Sequence, residues 1–260
     1  MKLEPTDTRI QVETKLKLSF ITANILKEKA GVKVRLPYDL TIPEGTLTLP
    51  VEYDGRTITA TVDDHEVMIP ELIPAGETLA GGSLMFIKIG GVKNQNSVKD
   101  AGDFVVETMD NYSGKYYTVD KGTSKTSFIA NSGKIISTTP QIDIDNPTNS
   151  AKDVTYTLNF KMEDAIPKSG YIRVKFPDTV RLVPPTTRSQ GSCRTYNCPI
   201  VEEGMIQFLL QDGLAANTPQ KLVIGGVINP RSFKPTGEFI METLDTDAVS
   251  LIDEGFKVKV

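Results

Sequence analysis

The stretch GGVKNQNSVKDAGDFVVETMD at residues 90–110 returns as GGVINPRSFKPTGEFIMETLD at 225–245, a constant offset of 135. Eleven of these 21 positions are identical, among them Gly90/Gly225, Gly91/Gly226, Asn94/Asn229, Phe104/Phe239, Glu107/Glu242, Thr108/Thr243 and Asp110/Asp245. A repeat of this quality is read before anything else, because it sets the architecture. Upstream the match continues at an offset of 140: LSF at 18–20 faces LNF at 158–160, and Pro37 falls over Pro177. Downstream, Val119-Asp120-Lys121-Gly122 sits near Ile252-Asp253-Glu254-Gly255. The chain is therefore expected to be two homologous domains in tandem, residues 1–133 and 134–260.

Each copy reads as strands. Leu16, Leu18 and Phe20 alternate with polar residues, as do Val154, Tyr156, Leu158, Phe160 and Met162. The same period of two runs through Val32-Val34-Leu36, Ile172-Val174-Phe176, Leu47-Leu49-Val51-Tyr53 and Ile58-Ala60-Val62. Alternation gives each strand one core face and one wet face, the pattern of antiparallel sheet. Asp54-Gly55 is a tight hairpin signal, and Glu203-Gly204 is a weaker one. The one stretch with helical character, 21–31, has a counterpart at 161–170 that carries Pro167 and Gly170, so both are expected to be loops. Short strands with frequent turn signals give the fold class: all-β, two tandem immunoglobulin-like antiparallel β-sandwich domains.

The repeated block has a structural explanation without a ligand, lining of a binding site being its alternative. Paired glycines at a strand end permit a bulge. Asn94 and Asn229 are turn-formers whose side chains bond nearby backbone. Phe104 and Phe239 open a strand whose alternate residues face the core.

Composition points away from catalysis. The chain of 260 residues has 39% hydrophobic and 24% charged residues, a net charge of −4, one histidine and two cysteines. No basic run suggests a nucleic-acid footprint, and no apolar stretch has the length of a membrane span. No nucleophile elbow, phosphate loop, zinc-protease or dinucleotide motif is present. Glu107/Glu242 and Asp110/Asp245 recur, but each copy carries them on one strand without a basic partner in sequence. Asp63-Asp64-His65-Glu66 lies between two alternating runs and reads as a polar hairpin turn rather than a metal or acid/base cluster. The protein is expected not to be an enzyme and to carry no cofactor.

Three features bear on environment. Cys193 and Cys198 (CRTYNC) occur in the second copy only and suit a local disulfide, free thiols and a metal pair being the alternatives. Such a bond implies an oxidising compartment, hence an extracellular or cell-surface location. The N-terminus shows no leader pattern, so the chain is expected to be a piece of a longer precursor or a mature segment. Asn111-Tyr112-Ser113 is a glycosylation sequon in an expected hairpin tip. Between the copies, Asp143, Asp145 and Asn146 offer hard oxygens that can bind Ca2+ at an interdomain linker, the alternative being solvated carboxylates on a strand.

The second copy resembles a repeated extracellular β-sandwich module of large surface or secreted proteins of ciliates and other protists. The residues that carry this likeness are Ile166-Pro167 through Phe176-Pro177, Ile224-Gly225-Gly226-Val227-Ile228-Asn229-Pro230, Lys234-Pro235-Thr236-Gly237 and Ile252-Asp253-Glu254-Gly255. The first copy departs from it: Gln95 stands for the proline, Asp100-Ala101 for Pro-Thr, and both cysteines are missing. The resemblance implies architecture and surface location and brings no catalytic residues.

The expected function is a non-enzymatic structural or adhesive module, a spacer or a subunit of a surface layer or filament. Its partners would be proteins: copies of itself or neighbouring domains of a longer chain. The terminal strand 256–260, or the N-terminal arm through Ile10 and Val12, is the expected donor to a neighbour's sheet edge. The alternative is a receptor or adhesin that binds carbohydrate or protein through the 184–200 loop, with Arg188, Arg194 and Tyr196 as contacts.

Overall fold

The structure, a computed structural model, describes residues 1–126, 128–182, 200–202, 204–255 and 257–258. Two compact units divide the chain, Met1–Asn131 and Ser132–Val260. No helix occurs among the described residues. The protein is all-β and built of largely antiparallel sheets.

The first unit contains β1 (Lys2–Pro5), β2 (Glu13–Ile21), β3 (Gly31–Arg35), β4 (Thr48–Tyr53), β5 (Arg56–Asp63), β6 (Glu66–Ile69), β7 (Leu84–Lys93), β8 (Asp103–Tyr112) and β9 (Lys115–Lys125). They form one continuous sheet, in the order β1-β2-β7-β4-β5-β6-β3-β8-β9. One core draws on strands from β1 to β8 of that order, with Leu3, Leu16, Leu18, Ile87, Ile89, Val51, Val67, Val32, Val34 and Phe104 all buried. The sheet is therefore wrapped around its own apolar face. The sequence pattern explains why: in β2 the buried residues are Thr14, Leu16, Leu18 and Phe20, every second position.

The second unit contains β10 (Gly133–Ile144), β11 (Val154–Met162), β12 (Tyr171–Lys175), β13 (Arg181–Leu182), β14 (Ile200–Glu202), β15 (Met205–Leu209), β16 (Pro219–Ile228), β17 (Phe239–Leu244), β18 (Asp253–Glu254) and β19 (Lys257–Val258). They make two five-stranded sheets, β13-β16-β11-β10-β18 and β14-β15-β12-β17-β19. Only the β10–β18 pair is parallel among the described strands. In β11 the alternation buries Val154, Tyr156, Leu158, Phe160 and Met162. Tyr156, Phe176 and Phe239 form an aromatic cluster with ring centroids 5.4 to 6.3 Å apart. The matching positions of the first unit hold Leu16, Leu36 and Phe104.

The glycine pairs make the same bulge twice. Lys15 faces the extra residues Gly90-Gly91 between the Leu16–Ile89 and Thr14–Val92 pairs. Thr155 faces Gly225-Gly226 between Tyr156–Ile224 and Val154–Val227. Gly91 and Gly226 have φ of 71° and 72°, where a side chain is strained. The hairpin at Asp54-Gly55 (φ 46° and 70°) joins Tyr53 to Arg56 in two residues, as a type I′ turn requires. The 22–30 and 163–170 segments are loops, each joined to another loop by an isolated bridge, Leu26–Leu79 and Ile166–Leu214.

Two expectations are corrected. Leu47 does not continue the core face of β4: it precedes the strand and is exposed, its carbonyl accepting the Val62 amide. The N-terminal arm is docked in its own unit, with Ile10 buried, its amide bonded to Asn131 O and Val12 O accepting from Asn94 N. At the other end β19 pairs with β17, Lys257 opposite Ile240 and Val258 opposite Phe239. The described parts of both expected donor segments are thus paired within the chain itself.

Candidate contact surfaces

The polar residues of the repeat are mostly buried and bind backbone. Asn94 Nδ2 donates to the carbonyls of Asp7 and Arg9, both at 2.7 Å. Asn229 Nδ2 donates to those of Asn146 (2.7 Å) and Thr148 (2.9 Å). Both asparagines thus clamp the segment that leads into β2 or β11, far away in sequence, rather than forming a local turn as expected. Tyr156 donates its hydroxyl to Asn229 Oδ1 at 2.8 Å. Burial pushes that phenol up to about 12.

Thr108 and Thr243 repeat a second device. Thr108 Oγ1 accepts the Asp120 amide (3.0 Å) and pairs with its carboxylate (3.1 Å); Thr243 does the same for Asp253 at 2.9 and 3.0 Å. The surroundings then differ. Asp120 also accepts from the Ala23 and Asn24 amides and from Asn24 Nδ2. Burial raises its carboxyl, but these bonds outweigh that and hold it below the ordinary carboxylate range. Asp253 is fully buried and accepts, besides Thr243, one amide, that of Asp164. Burial pushes Asp253 up to about 7; the Thr243 bond opposes this and the Asp164 and Glu163 carboxylates add to it.

Glu107 and Glu242 have basic partners after all, from neighbouring strands. Lys121 Nζ lies 2.9 Å and Lys33 Nζ 3.5 Å from Glu107, and Arg173 lies 3.4 Å from Glu242. Sequence spacing within one strand cannot show a cross-strand pair. For Glu107, burial is outweighed by Lys121, Thr118 and Lys33, which keep its carboxyl low. Such a satisfied ion pair is structural.

Of the residues singled out in sequence, Cys193, Cys198, Arg188, Arg194 and Tyr196 lie outside the described residues, as does Glu203. Asn111 is the last residue but one of β8, beside the Ser113-Gly114 turn (φ 51° and 83°), and its Oδ1 accepts the Gly114 amide at 2.9 Å. Asp143 and Asp145 are exposed, within the second unit rather than between units. Asp145 Oδ1 accepts the Thr155 amide (2.9 Å) and Asn146 Oδ1 the Thr148 amide (3.1 Å). Among the described residues no group of three His, Cys, Asp or Glu is placed to hold a metal ion.

The most unusual surface is on the first unit and was not visible in sequence. Ile21 and Leu84 are cross-strand partners, Phe86 lies opposite Ser19, and Ile21, Leu84 and Phe86 are 65%, 56% and 65% exposed. At the same register the second unit has Lys161 opposite Pro219 and Lys221 opposite Asn159. The strand scaffold therefore does not demand apolar residues there. Further along this face Lys17 pairs with Lys88, and Glu52 bridges Lys15 and Lys88.

A second feature is an open hollow of about 280 Å³ lined by Arg35, Tyr38, Asp63, Asp64, His65 and Glu66. The Asp64-His65 turn forms where expected. Tyr38 packs over His65 at 4.7 Å, and Arg35 donates to Glu66. Phe233, at a loop tip in the second unit, is 95% exposed.

No protein-family model matches the chain, and no curated protein matches it in sequence. Solved structures do align along its length. One is the Enterococcus faecalis MSCRAMM ACE, described as binding its ligands by the collagen hug model: 12% identity, 100% of this chain and 96% of that one covered, TM-score 0.26. The collagen-binding domain of Erysipelothrix rhusiopathiae surface protein RspB is 13% identical over 100% and 93% of the two chains, with a TM-score of 0.30. A partial N-terminal region of an enterococcal surface protein is 10% identical over 97% and 91%, also at 0.30. At such scores these likenesses assign nothing to this chain. All three proteins are bacterial, and the ciliate and protist source implied by the sequence resemblance finds no support among them.

Proposed function

We propose that the protein is a non-enzymatic, extracellular or cell-surface module that works through contact with other proteins, as a spacer or subunit of an adhesive or structural assembly. One observation carries this reading: the residues repeated in both units hold backbone, whereas the outward faces differ. Asn94 and Asn229 make the same bonds; Ile21, Leu84 and Phe86 have become Lys161, Pro219 and Lys221. Architecture is retained and surface is free to specialise, as a contact protein requires.

The exposed apolar face favours a receptor or adhesin for a protein ligand over a passive spacer. Contiguous apolar side chains on a sheet's outer face mark interaction sites more often than chance exposure. Sedimentation velocity and electron microscopy of the intact protein separate the readings. Concentration-dependent polymers support a structural subunit. A monomer that binds an immobilised surface protein, and loses it when Phe86 is replaced, supports an adhesin. A monomer without any protein ligand sinks both.

A further inference from the structure

We propose that Asp164 and Asp253 hold one proton between them, and that its release makes the second unit a pH-sensitive element whose β10–β18 pairing loosens as the solution passes from acid to neutral. This inference is independent of the contact function proposed above.

The geometry comes first. Asp253 has no exposed surface, and its Oδ1 faces Asp164, whose amide donates to it at 3.2 Å. A Cβ on Gly133 would overlap both Asp164 Oδ2 and Asp253 Oδ1, so the two carboxyl groups crowd the same flank of β10. Gly133 and Asp253 are themselves partners in the parallel pairing. Asp253 is fully buried and Asp164 half-buried, and two like charges this close, one of them cut off from water, disfavour each other, so one carboxyl keeps its proton.

The first unit supplies the internal control. At the position of Asp164 it has Asn24, whose Nδ2 donates to Asp120 Oδ1 at 2.6 Å. One change, amide to carboxylate, turns a donor into a competing anion. The titratable and charged groups around Asp253 point the same way. From the segment after β11 come Asp164 and Glu163; from β10, Lys134 offers its backbone amide, which Glu163 Oε2 accepts at 3.1 Å; from β17 comes the neutral Thr243; and on β18 its neighbour is Glu254, whose residue is exposed. The two charges that weigh most on Asp253, those of Asp164 and Glu163, are both negative.

The sign follows. The unfolded chain releases this proton near the ordinary value of 3.8, whereas the folded unit keeps it to about 7. Between those values the folded state binds more protons, so its stability falls as pH rises and levels off above neutrality. Coupling to the whole site changes the opening equilibrium by up to about tenfold per pH unit in that window.

Amide hydrogen exchange of the intact protein, corrected for intrinsic rates, tests this at pH 5, 6, 7 and 8. Protection at Gly133, Lys134 and Asp253 should fall by up to about tenfold per pH unit from 5 to 7, then flatten. In Asp164→Asn the slope should shrink, burial alone still holding Asp253 raised, and protection around Thr108 and Asp120 should show no such fall in either protein. Equal slopes in the two proteins, or a flat wild type, overturn the proposal. Should Asp164→Asn fail to fold, carboxyl-carbon NMR of Asp253 in the wild type decides. A midpoint near neutrality supports the shared proton, and one near 4 refutes it.

Discussion

Tyr156 donates its hydroxyl to Asn229 Oδ1, while the first unit has Leu16 at that position and the buried Oδ1 of the corresponding Asn94 has no partner among the described residues. The clamp is the same in both units, but only the second is complete. Tyr156→Phe would recreate in the second unit the orphaned carbonyl of the first, because the ring still fills its place in the aromatic cluster. A buried acceptor stripped of its donor costs about 1–2 kcal/mol. Urea unfolding should show a shifted midpoint with an unchanged slope; an unmoved midpoint would mean that water replaces the hydroxyl.

Asn229→Ala removes both donors to Asn146 and Thr148 as well as the acceptor for Tyr156, which leaves the buried Tyr156 hydroxyl unpaired and frees the entering segment. A loss of about 2–4 kcal/mol is expected. Asn94→Ala removes only the two donors and an atom already unpartnered, so its cost should be smaller. Denaturation of the two variants side by side checks the ranking, and the reverse order would contradict the geometry.

The strands were legible in sequence because their cause is local: alternation at Leu16, Leu18 and Phe20, or at Val154 through Met162, needs only neighbours two residues apart. The bulges were legible for a related reason, since glycine pairs at Gly90-Gly91 and Gly225-Gly226 mark backbone that tolerates no Cβ. The clamps were not. Asn94 reaches Asp7 across 87 residues, Asn229 reaches Asn146 across 83, and Asp164 meets Asp253 across 89. No periodicity encodes such a meeting; only the sheet order does. The apolar face escaped notice likewise, because Ile21 and Leu84 become one surface only through their pairing.

Gly91→Ala tests the bulge directly. Its Cβ would stand 2.8 Å from Leu49 Cδ2 at a φ of 71°. The left-handed backbone alone costs about 1–2 kcal/mol, and the overlap adds to it. Gly55→Ala, with a similar φ of 70° and open space around it, should pay the backbone cost only. Thermal melts of both variants are the check, and equal losses would show that Leu49 moves aside freely.

The two units should respond to pH in opposite directions. Asp120 is held low by the bonds from Asn24, Thr108 and Ala23, which outweigh its burial. A depressed carboxyl adds stability above its unfolded value, and this is lost as pH falls through the folded one. Asp253 is raised, so its effect runs the other way. Calorimetry should therefore find the first unit weakened below about pH 4 and the second weakened between about 4 and 7. Parallel shifts of both transitions would refute this.

Calcium at Asp143, Asp145 and Asn146 makes a sharper test than the sequence alone allowed. Asp145 Oδ1 and Asn146 Oδ1 are already engaged by the amides of Thr155 and Thr148, and Asp143 stands exposed on the strand before them. A calcium ion takes six to eight oxygens, and capturing these two would break turn bonds that hold the start of β11. Millimolar calcium is expected to leave the melting temperature unchanged, and a rise of several degrees would restore the linker site.

The face of Ile21, Leu84 and Phe86 can be tested by giving it the residues that the second unit carries. Phe86→Lys combined with Ile21→Lys copies Lys221 and Lys161 at equal register. All three apolar side chains are more than half exposed, so the unit loses little core, and surface substitutions of this kind stay within about 0.5 kcal/mol. Stability should therefore hold while association changes. Lys17 and Lys88 already lie along the face, so added cations also repel any basic partner and weaken an apolar contact. If polymers or ligand binding survive the double variant at full strength while the fold is intact, the contact lies elsewhere, with the Tyr38–His65 hollow and the Phe233 loop next to be examined.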